Sequence, residues 1–198
     1  MNHIKQFVKQ ILTFFWHPIA TSYLWLDGSR NFVIKPQMSI NKLKYLKLGQ
    51  DIQIGRNSRF LFVEEYCGEV YKPEVKVGNH VSIGNRFSAL SAAPIVIEDH
   101  CLIASDVLIT SENHGTNPEL SDSYAKTPLT AASVWIGQGC WLGEKVSIMP
   151  GVSLGARCIV ASNAVVTKSF PAGSMIGGVP AKLLKKYNYN THSWEKCK

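Results

Sequence analysis

Between Val134 and Val166 an aliphatic residue returns at every sixth position: Ile136, Leu142, Ile148, Leu154, Val160 and Val166. The residue after it is mostly glycine or another small one, as in Gly137, Gly143, Gly155 and Ala161. Two places before each aliphatic stands a second inward candidate: Cys140, Val146, Val152, Cys158 and Ala164. Side chains of a strand alternate between its faces, so residues two apart share one. Each hexad therefore reads as a short strand with two side chains pointing in. The small residue is expected to let the backbone turn a corner without steric conflict. Three strands and three corners close one coil of a prism, and a fixed hexapeptide period is the signature of a parallel β-helix.

The period extends toward the N-terminus less evenly. Leu48-Gly49 and Ile54-Gly55 open it, Glu64 to Pro73 interrupts it, and Val77-Gly78 and Ile83-Gly84 resume it. It slips by two residues across Ala92-Ala93-Pro94 and returns at Ile97, Ile103 and Ile109. The spacing from Ile109 to Ile136 is not a multiple of six, so an excursion leaves the solenoid there. Gly115 to Ser133, with Pro118 and Pro128, is that loop, and long insertions in compact domains are usually functional or disordered. The expected organisation is a lead-in over 1–37, a solenoid over 38–170 with the loop 115–133, and a basic tail over 171–198 with a frayed end.

Residues 2–16 read as an amphipathic helix, with Ile4, Phe7, Val8, Ile11, Leu12 and Phe15 at helical spacing and Lys5 and Lys9 off the stripe. Pro18 ends the pattern. Such a helix either packs on the first coils or makes peripheral contact with a membrane surface. Residues 19–37 show no clear period. A chain of 198 residues is one domain with small appendages. The formal net charge of +7 suits an anionic ligand or surface; the repeat is not basic and carries no nucleic-acid motif, so nucleic acid is not an expected partner. Cys67, Cys101, Cys140, Cys158 and Cys197 form no CxxC pair, and three of them fall at inward positions as small apolar filler. That usage fits a reducing compartment, and no apolar run is long enough to span a bilayer. A cytoplasmic protein, peripheral at the inner face of a membrane if the N-terminal helix binds there, is the expectation.

The words Val134-Trp135-Ile136-Gly137, Cys140-Trp141-Leu142-Gly143, Met149-Pro150-Gly151-Val152, Val165-Val166-Thr167-Lys168 and Gly177-Gly178-Val179-Pro180-Ala181 resemble those of the hexapeptide-repeat acyltransferases, in their maltose, galactoside and polysaccharide O-acetyltransferase branch. The resemblance covers roughly Val75 to Lys185. It implies an all-β fold, the left-handed parallel β-helix; the hand comes from the resemblance alone, since general crossover rules favour the other. It further implies a homotrimer with active sites at its interfaces, acetyl-CoA as co-substrate, and a carbohydrate acceptor such as a unit of O-antigen or capsule. Other small acceptors (an amino sugar, serine, an antibiotic) and a non-catalytic scaffold are the alternatives.

His114, in Ser111-Glu112-Asn113-His114-Gly115, stands where the family places its catalytic histidine. A sugar hydroxyl is a poor nucleophile near neutral pH and needs a base as it attacks a thioester; a neutral imidazole serves. Glu112, two residues earlier on the same face of a strand, is the candidate to orient it. Asn113 is a candidate substrate contact or a corner residue. Trp141 resembles the tryptophan that walls the acceptor cleft, and an indole face suits the C–H surface of a sugar. Ser162, Thr167 and Lys168 match positions that contact coenzyme A, with Lys182 and Lys185 as further cations for its phosphates. His80 and His100 raise a rival reading, the γ-class carbonic anhydrases. That site needs three protein ligands, and the second histidine expected soon after His114 is missing, so no metal is expected.

Overall fold

The computed structural model describes residues 2–196; the side chains of Ile4, Lys5, Phe7 and Lys9, and Cys197 as a whole, lie outside the described residues. Three parallel sheets form the faces of a prism, and the chain visits them in fixed rotation. The first face stacks Val33–Ile34, Gln53–Ile54, Ser82–Ile83, Leu102–Ile103, Trp141–Leu142, Ile159–Val160 and Ser174–Gly178. The second stacks Ser39–Ile40, Arg59–Phe62, Ser88–Ser91, Leu108–Thr110, Ser147–Ile148 and Val165–Val166. The third stacks Leu46–Leu48, Glu74–Val77, Pro94–Ile97, Val134–Ile136 and Ser153–Leu154. This is the left-handed parallel β-helix. Past the ejected loop, partners such as Trp141 and Ile159 lie three hexads apart in sequence. Before the loop, coils such as that from Ser82 to Leu102 are two residues longer, which accounts for the slip in period near Ala92.

Both inward positions of each hexad are buried, from Cys140 and Val146 to Ala164 and Val166, and one continuous core runs from Leu24 to Ala181. The thiol of Cys101 donates to the carbonyl of Gly137 at 3.3 Å and that of Cys140 to Gly155 at 3.2 Å, each one coil further on. Burial pushes Cys101 up to about 11, and Cys140 is pushed up by its interaction with Cys158 and by burial. These thiols fill the core as protonated groups.

The small residue of each hexad has a different task from the expected one. Gly55, Gly84, Gly137 and Gly143 do not adopt a left-handed backbone; a Cβ on any of them would meet the backbone of the next coil at 2.3–2.8 Å. Glycine is there because coils stack closely, as backbone approach requires. The left-handed residue stands two places later, as in Asn57 (φ 57°), Arg86 (φ 55°), Asp106 (φ 61°) and Asn163 (φ 60°). His80 (φ 56°) and His100 (φ 61°) hold such places, consistent with the tolerance of histidine and Asx residues for that region. Their rings stack at 4.9 Å, with Nδ1 of His80 3.2 Å from Asp51.

Three further segments differ from expectation. The solenoid opens at Val33, two strands before Leu46–Leu48. Ahead of it lie helices α1 (Asn2–Trp16) and α2 (Pro18–Leu26), with Pro18 starting the second helix as well as ending the first. Glu64 to Pro73 is a β-hairpin, Glu65–Tyr66 paired with Glu69–Val70. The tail is pleated rather than frayed: Ser174–Gly178 adds to the first face, and Ala181–Asn188 and Ser193–Lys196 continue it antiparallel. Tyr187 packs edge-on against Trp194 at 5.3 Å and Tyr189 at 5.0 Å, which holds that end in place.

Candidate active site

His114 sits on a hairpin ejected from the edge between the second and third faces. Ser111 anchors its base: the buried hydroxyl donates to the carbonyl of Ala93 at 2.7 Å and accepts from the amides of Ala92 and Ala93. Glu112–His114 then pairs antiparallel with Leu129–Ala131. The hairpin of residues 65–70 leaves from the same edge two coils earlier and supports it. The ring of Tyr66 meets that of His114 edge-on at 5.4 Å, and the Tyr66 hydroxyl donates to the carbonyl of Ala125. The Tyr71 hydroxyl accepts from the amide of Leu129 at 2.7 Å and donates to its carbonyl at 3.1 Å. Tyr66 and Tyr71 thus position the His114 hairpin. Sequence reading missed both because a break in period announces an insertion, not what the insertion touches.

His114 is exposed, and Glu112, two residues away on the same face of the strand, is half-buried. No hydrogen bond joins Glu112 to His114 among the described residues. The Asn113 side chain points to the opposite face, while its carbonyl accepts from the Thr130 hydroxyl at 3.3 Å. Thr167 and Lys168 lie on the same edge as His114, following the strand Val165–Val166 as the hairpin follows Leu108–Thr110. Two inter-strand spacings, about 10 Å along the prism, separate the strands that lead into them. The Lys168 ammonium lies 5.6 Å from the centre of the Phe170 ring. One edge therefore carries a base-competent imidazole above an exposed threonine and a cation.

The remaining candidates lie elsewhere. Trp141 projects from the first face, 49% exposed, and Ser162 follows the strand Ile159–Val160 on that face. Lys182 and Lys185 lie in the strand that widens it. The pairing passes from Met175–Lys185 to Ile176–Leu183, so Leu184 is a bulge residue. The bulge brings Lys182 and Lys185, three apart in sequence, onto one side. Trp141 lines a cleft of about 390 Å³ with Arg157, Ile159, Tyr187, Tyr189 and Trp194. The alternation Tyr187-Tyr189 was the one sequence signal for that aromatic wall. The first face lies opposite the second–third edge, so one prism does not bring Trp141, Lys182 and Lys185 to His114. Among the described residues no group of three or more His, Cys, Asp and Glu could hold a metal ion.

Residues 133–168 match the family described as bacterial transferase hexapeptide (six repeats). A putative lipopolysaccharide biosynthesis O-acetyltransferase of Escherichia coli is 39% identical over 133 residues, covering 64% of this chain and 65% of that protein. Galactoside O-acetyltransferase of Escherichia coli is 29% identical over 117 residues, 56% of each chain. The matched region thus spans less than two thirds of the length of these relatives. Among solved structures, a hexapeptide-repeat acetyltransferase of Vibrio cholerae complexed with acetyl-CoA superposes with a TM-score of 0.58 at 25% identity, covering 77% of this chain and 72% of that one. An N-acyltransferase of Bacillus cereus shares the fold, with a TM-score of 0.66 at 18% identity over 82% of this chain and 84% of its own. Residues 133–168 thus carry the hexapeptide repeat of that family, and the chain is similar to O-acetyltransferases that share it.

Proposed function

We propose that the protein is an acetyl-CoA-dependent O-acetyltransferase acting on a sugar hydroxyl, with His114 as general base. The observation that carries the reading is the shared edge: the strand that leads into the His114 hairpin lies two inter-strand spacings, about 10 Å along the prism, from the strand that leads into Thr167 and Lys168. The imidazole takes the proton of the acceptor hydroxyl as its oxygen attacks the thioester carbonyl. The new C–O ester bond forms, the C–S bond breaks, and the imidazolium returns the proton to the leaving thiolate. Thr167 and Lys168 hold the cofactor, the lysine as a point charge for phosphate. Two relatives support a carbohydrate acceptor by name, a lipopolysaccharide-biosynthesis and a colanic-acid-biosynthesis acetyltransferase.

The working form in this reading is a homotrimer. Trp141, Lys182 and Lys185 lie across the prism from His114, so a neighbouring chain has to supply them to its site. Cyclic closure of three equivalent prisms does this for every site at once. The reading also places the protein in the cytoplasm, in peripheral contact with the inner face of a membrane through residues 2–16. Thiol release from acetyl-CoA, measured against a panel of saccharide acceptors, tests the transfer. His114→Ala and His114→Gln should each lower turnover by about 10²–10⁴-fold while acetyl-CoA still binds. Turnover above about a tenth of wild type leaves only about 1.4 kcal/mol for His114 and moves the base elsewhere.

A further inference from the structure

The peripheral contact proposed above gains a defined surface in the two N-terminal helices. They close the N-terminal end of the solenoid. The Ser29 hydroxyl donates to the carbonyl of Leu48 at 2.8 Å, His17 meets the carbonyl of Lys35 at 3.1 Å, and Leu24 enters the core. Among the described residues of the two helices, Thr13, Ala20, Thr21 and Leu24 are the buried side chains. Their larger apolar side chains point the other way: Phe15 is 72% exposed, Ile19 82% and Leu26 89%, with Trp16 and Trp25 beside them. A surface helix of a soluble protein buries its apolar stripe; here the inward side is small and partly polar, and the aromatic and aliphatic side faces out. Of the stripe read from the sequence, Val8, Ile11, Leu12 and Phe15 are therefore exposed and not consumed by packing on the first coils.

Charge supplies the second, independent observation. The first 50 residues contain seven Lys and Arg and one acid, Asp27, which leaves +6 of the formal net charge of +7 in that quarter of the chain. Asp27 is itself paired to Lys47 at 2.9 Å, and Lys42 and Lys44 are paired to Glu64, so the remaining cations of the segment are Lys5, Lys9, Arg30 and Lys35. No Asp or Glu occurs before Asp27. Exposed Phe, Trp, Ile and Leu in a segment with an excess of cations over acids are what an anionic phospholipid surface attracts, by apolar insertion and by its negative potential together.

We infer that the outer side of α1 and α2 docks on an anionic lipid bilayer, with the solenoid standing away from it. The edge carrying His114 starts three inter-strand spacings from the first coil, about 15 Å from the capped end. A saccharide anchored in the same bilayer then reaches that edge, so the inference names a lipid-linked acceptor for the transfer proposed above and rests on that reading for this last step alone.

Co-sedimentation of the full-length protein with vesicles tests it. Phosphatidylcholine vesicles with about 30 mol% phosphatidylglycerol should bind the wild type, more weakly as salt rises and more weakly still without the anionic lipid. The combined variant Phe15→Ser, Ile19→Ser, Leu26→Ser should partition at least about tenfold less, and Leu120→Ser, an exposed residue far from the cap, should bind as wild type. Quenching of Trp16 and Trp25 fluorescence by a lipid-borne quencher reads insertion in the wild type without any variant. No quenching and no sedimentation overturn the docking. A combined variant that sediments like wild type, or that changes the oligomeric mass in light scattering, also overturns it, the latter because the surface then joins copies of this chain. Thiol release with a soluble acceptor separates the two claims: the variant should keep it, and a wild type that binds vesicles but transfers nothing refutes the transfer and leaves the docking standing.

Discussion

Gly55→Ala tests the stacking of the coils against the conformational freedom of glycine. Gly55 does not have a left-handed backbone, so alanine is allowed there, and at such a site the change normally stabilises by about 0.4–1 kcal/mol through the unfolded chain. The structure reverses the sign. The added Cβ would stand 2.3 Å from the carbonyl carbon and oxygen of Gly84 and 2.5 Å from the amide of Asn85. These are backbone atoms of the corner that follows the strand Ser82–Ile83, and the Gly84 amide donates to the carbonyl of Ile103 in the next coil at 2.8 Å, so no side chain can rotate away. Ala104 and Ala161 hold the equivalent place in other coils, which shows that the stack admits a methyl where it is built around one. Overpacking costs about 1–3 kcal/mol, and after the favourable term the net loss is about 1–2 kcal/mol. In a chain of this size that lowers the melting temperature by about 2–8 °C. Circular dichroism melts at matched concentration, with mass checked by light scattering, measure it. A variant that melts at or above the wild type refutes the stacking argument and returns these glycines to the role of corner formers.

The solenoid was legible because its period is set by local rules. A strand must alternate and a close-packed backbone admits only small residues, so Ile136-Gly137 and Leu142-Gly143 declare both at once. The same words misled about mechanism: a glycine beside a corner suggests a left-handed turn, yet that conformation falls to Asn57, Arg86 and their equivalents. His114 could be named from its motif and from its place at a break in period. Tyr66 and Tyr71 could not, because their contacts with the His114 hairpin span 48 and 58 positions in sequence and depend on two insertions leaving the same edge. The tail failed for a similar reason. Its lysines read as a solvated end, while its alternation of Leu183, Lys185 and Tyr187 with charged neighbours is interrupted by the bulge at Leu184. The partition of candidate residues between an edge and the opposite face follows only from the order in which the chain visits the sheets.

Lys42 and Lys44, with the Tyr45 hydroxyl, converge on Glu64 at the foot of the first hairpin and hold its carboxyl down to about 2 from 4.5. A lowered folded-state value adds stability that is complete above the unfolded value and lost as pH falls toward the folded one. The melting-temperature gap between wild type and Glu64→Gln should therefore be constant near neutrality and close between pH 4.5 and 2; a gap that persists at the acid end contradicts this role. Tyr66→Ala should lower turnover by about tenfold by releasing the His114 ring, with the acetyl-CoA Michaelis constant unchanged, and Tyr66→Phe, which keeps the ring, by much less; equal losses in both would move the effect to the hydroxyl. Mixed trimers test the shared site. If His114 comes from one chain and Trp141 from its neighbour, neither His114→Ala nor Trp141→Ala alone leaves a complete site. In trimers assembled from equal amounts of both, a site is complete when the first chain is the Trp141 variant and the second the His114 variant. Random assembly makes that so for about a quarter of the sites, so turnover should recover to about that fraction of wild type. A site contained in one chain gives no recovery, because every chain lacks one residue. Recovery must also vanish when the two variants are purified apart and mixed without exchange of subunits. If recovery is absent after verified exchange, the interface is not where His114 meets Trp141, and the aromatic cleft on the first face has to be assigned a separate task.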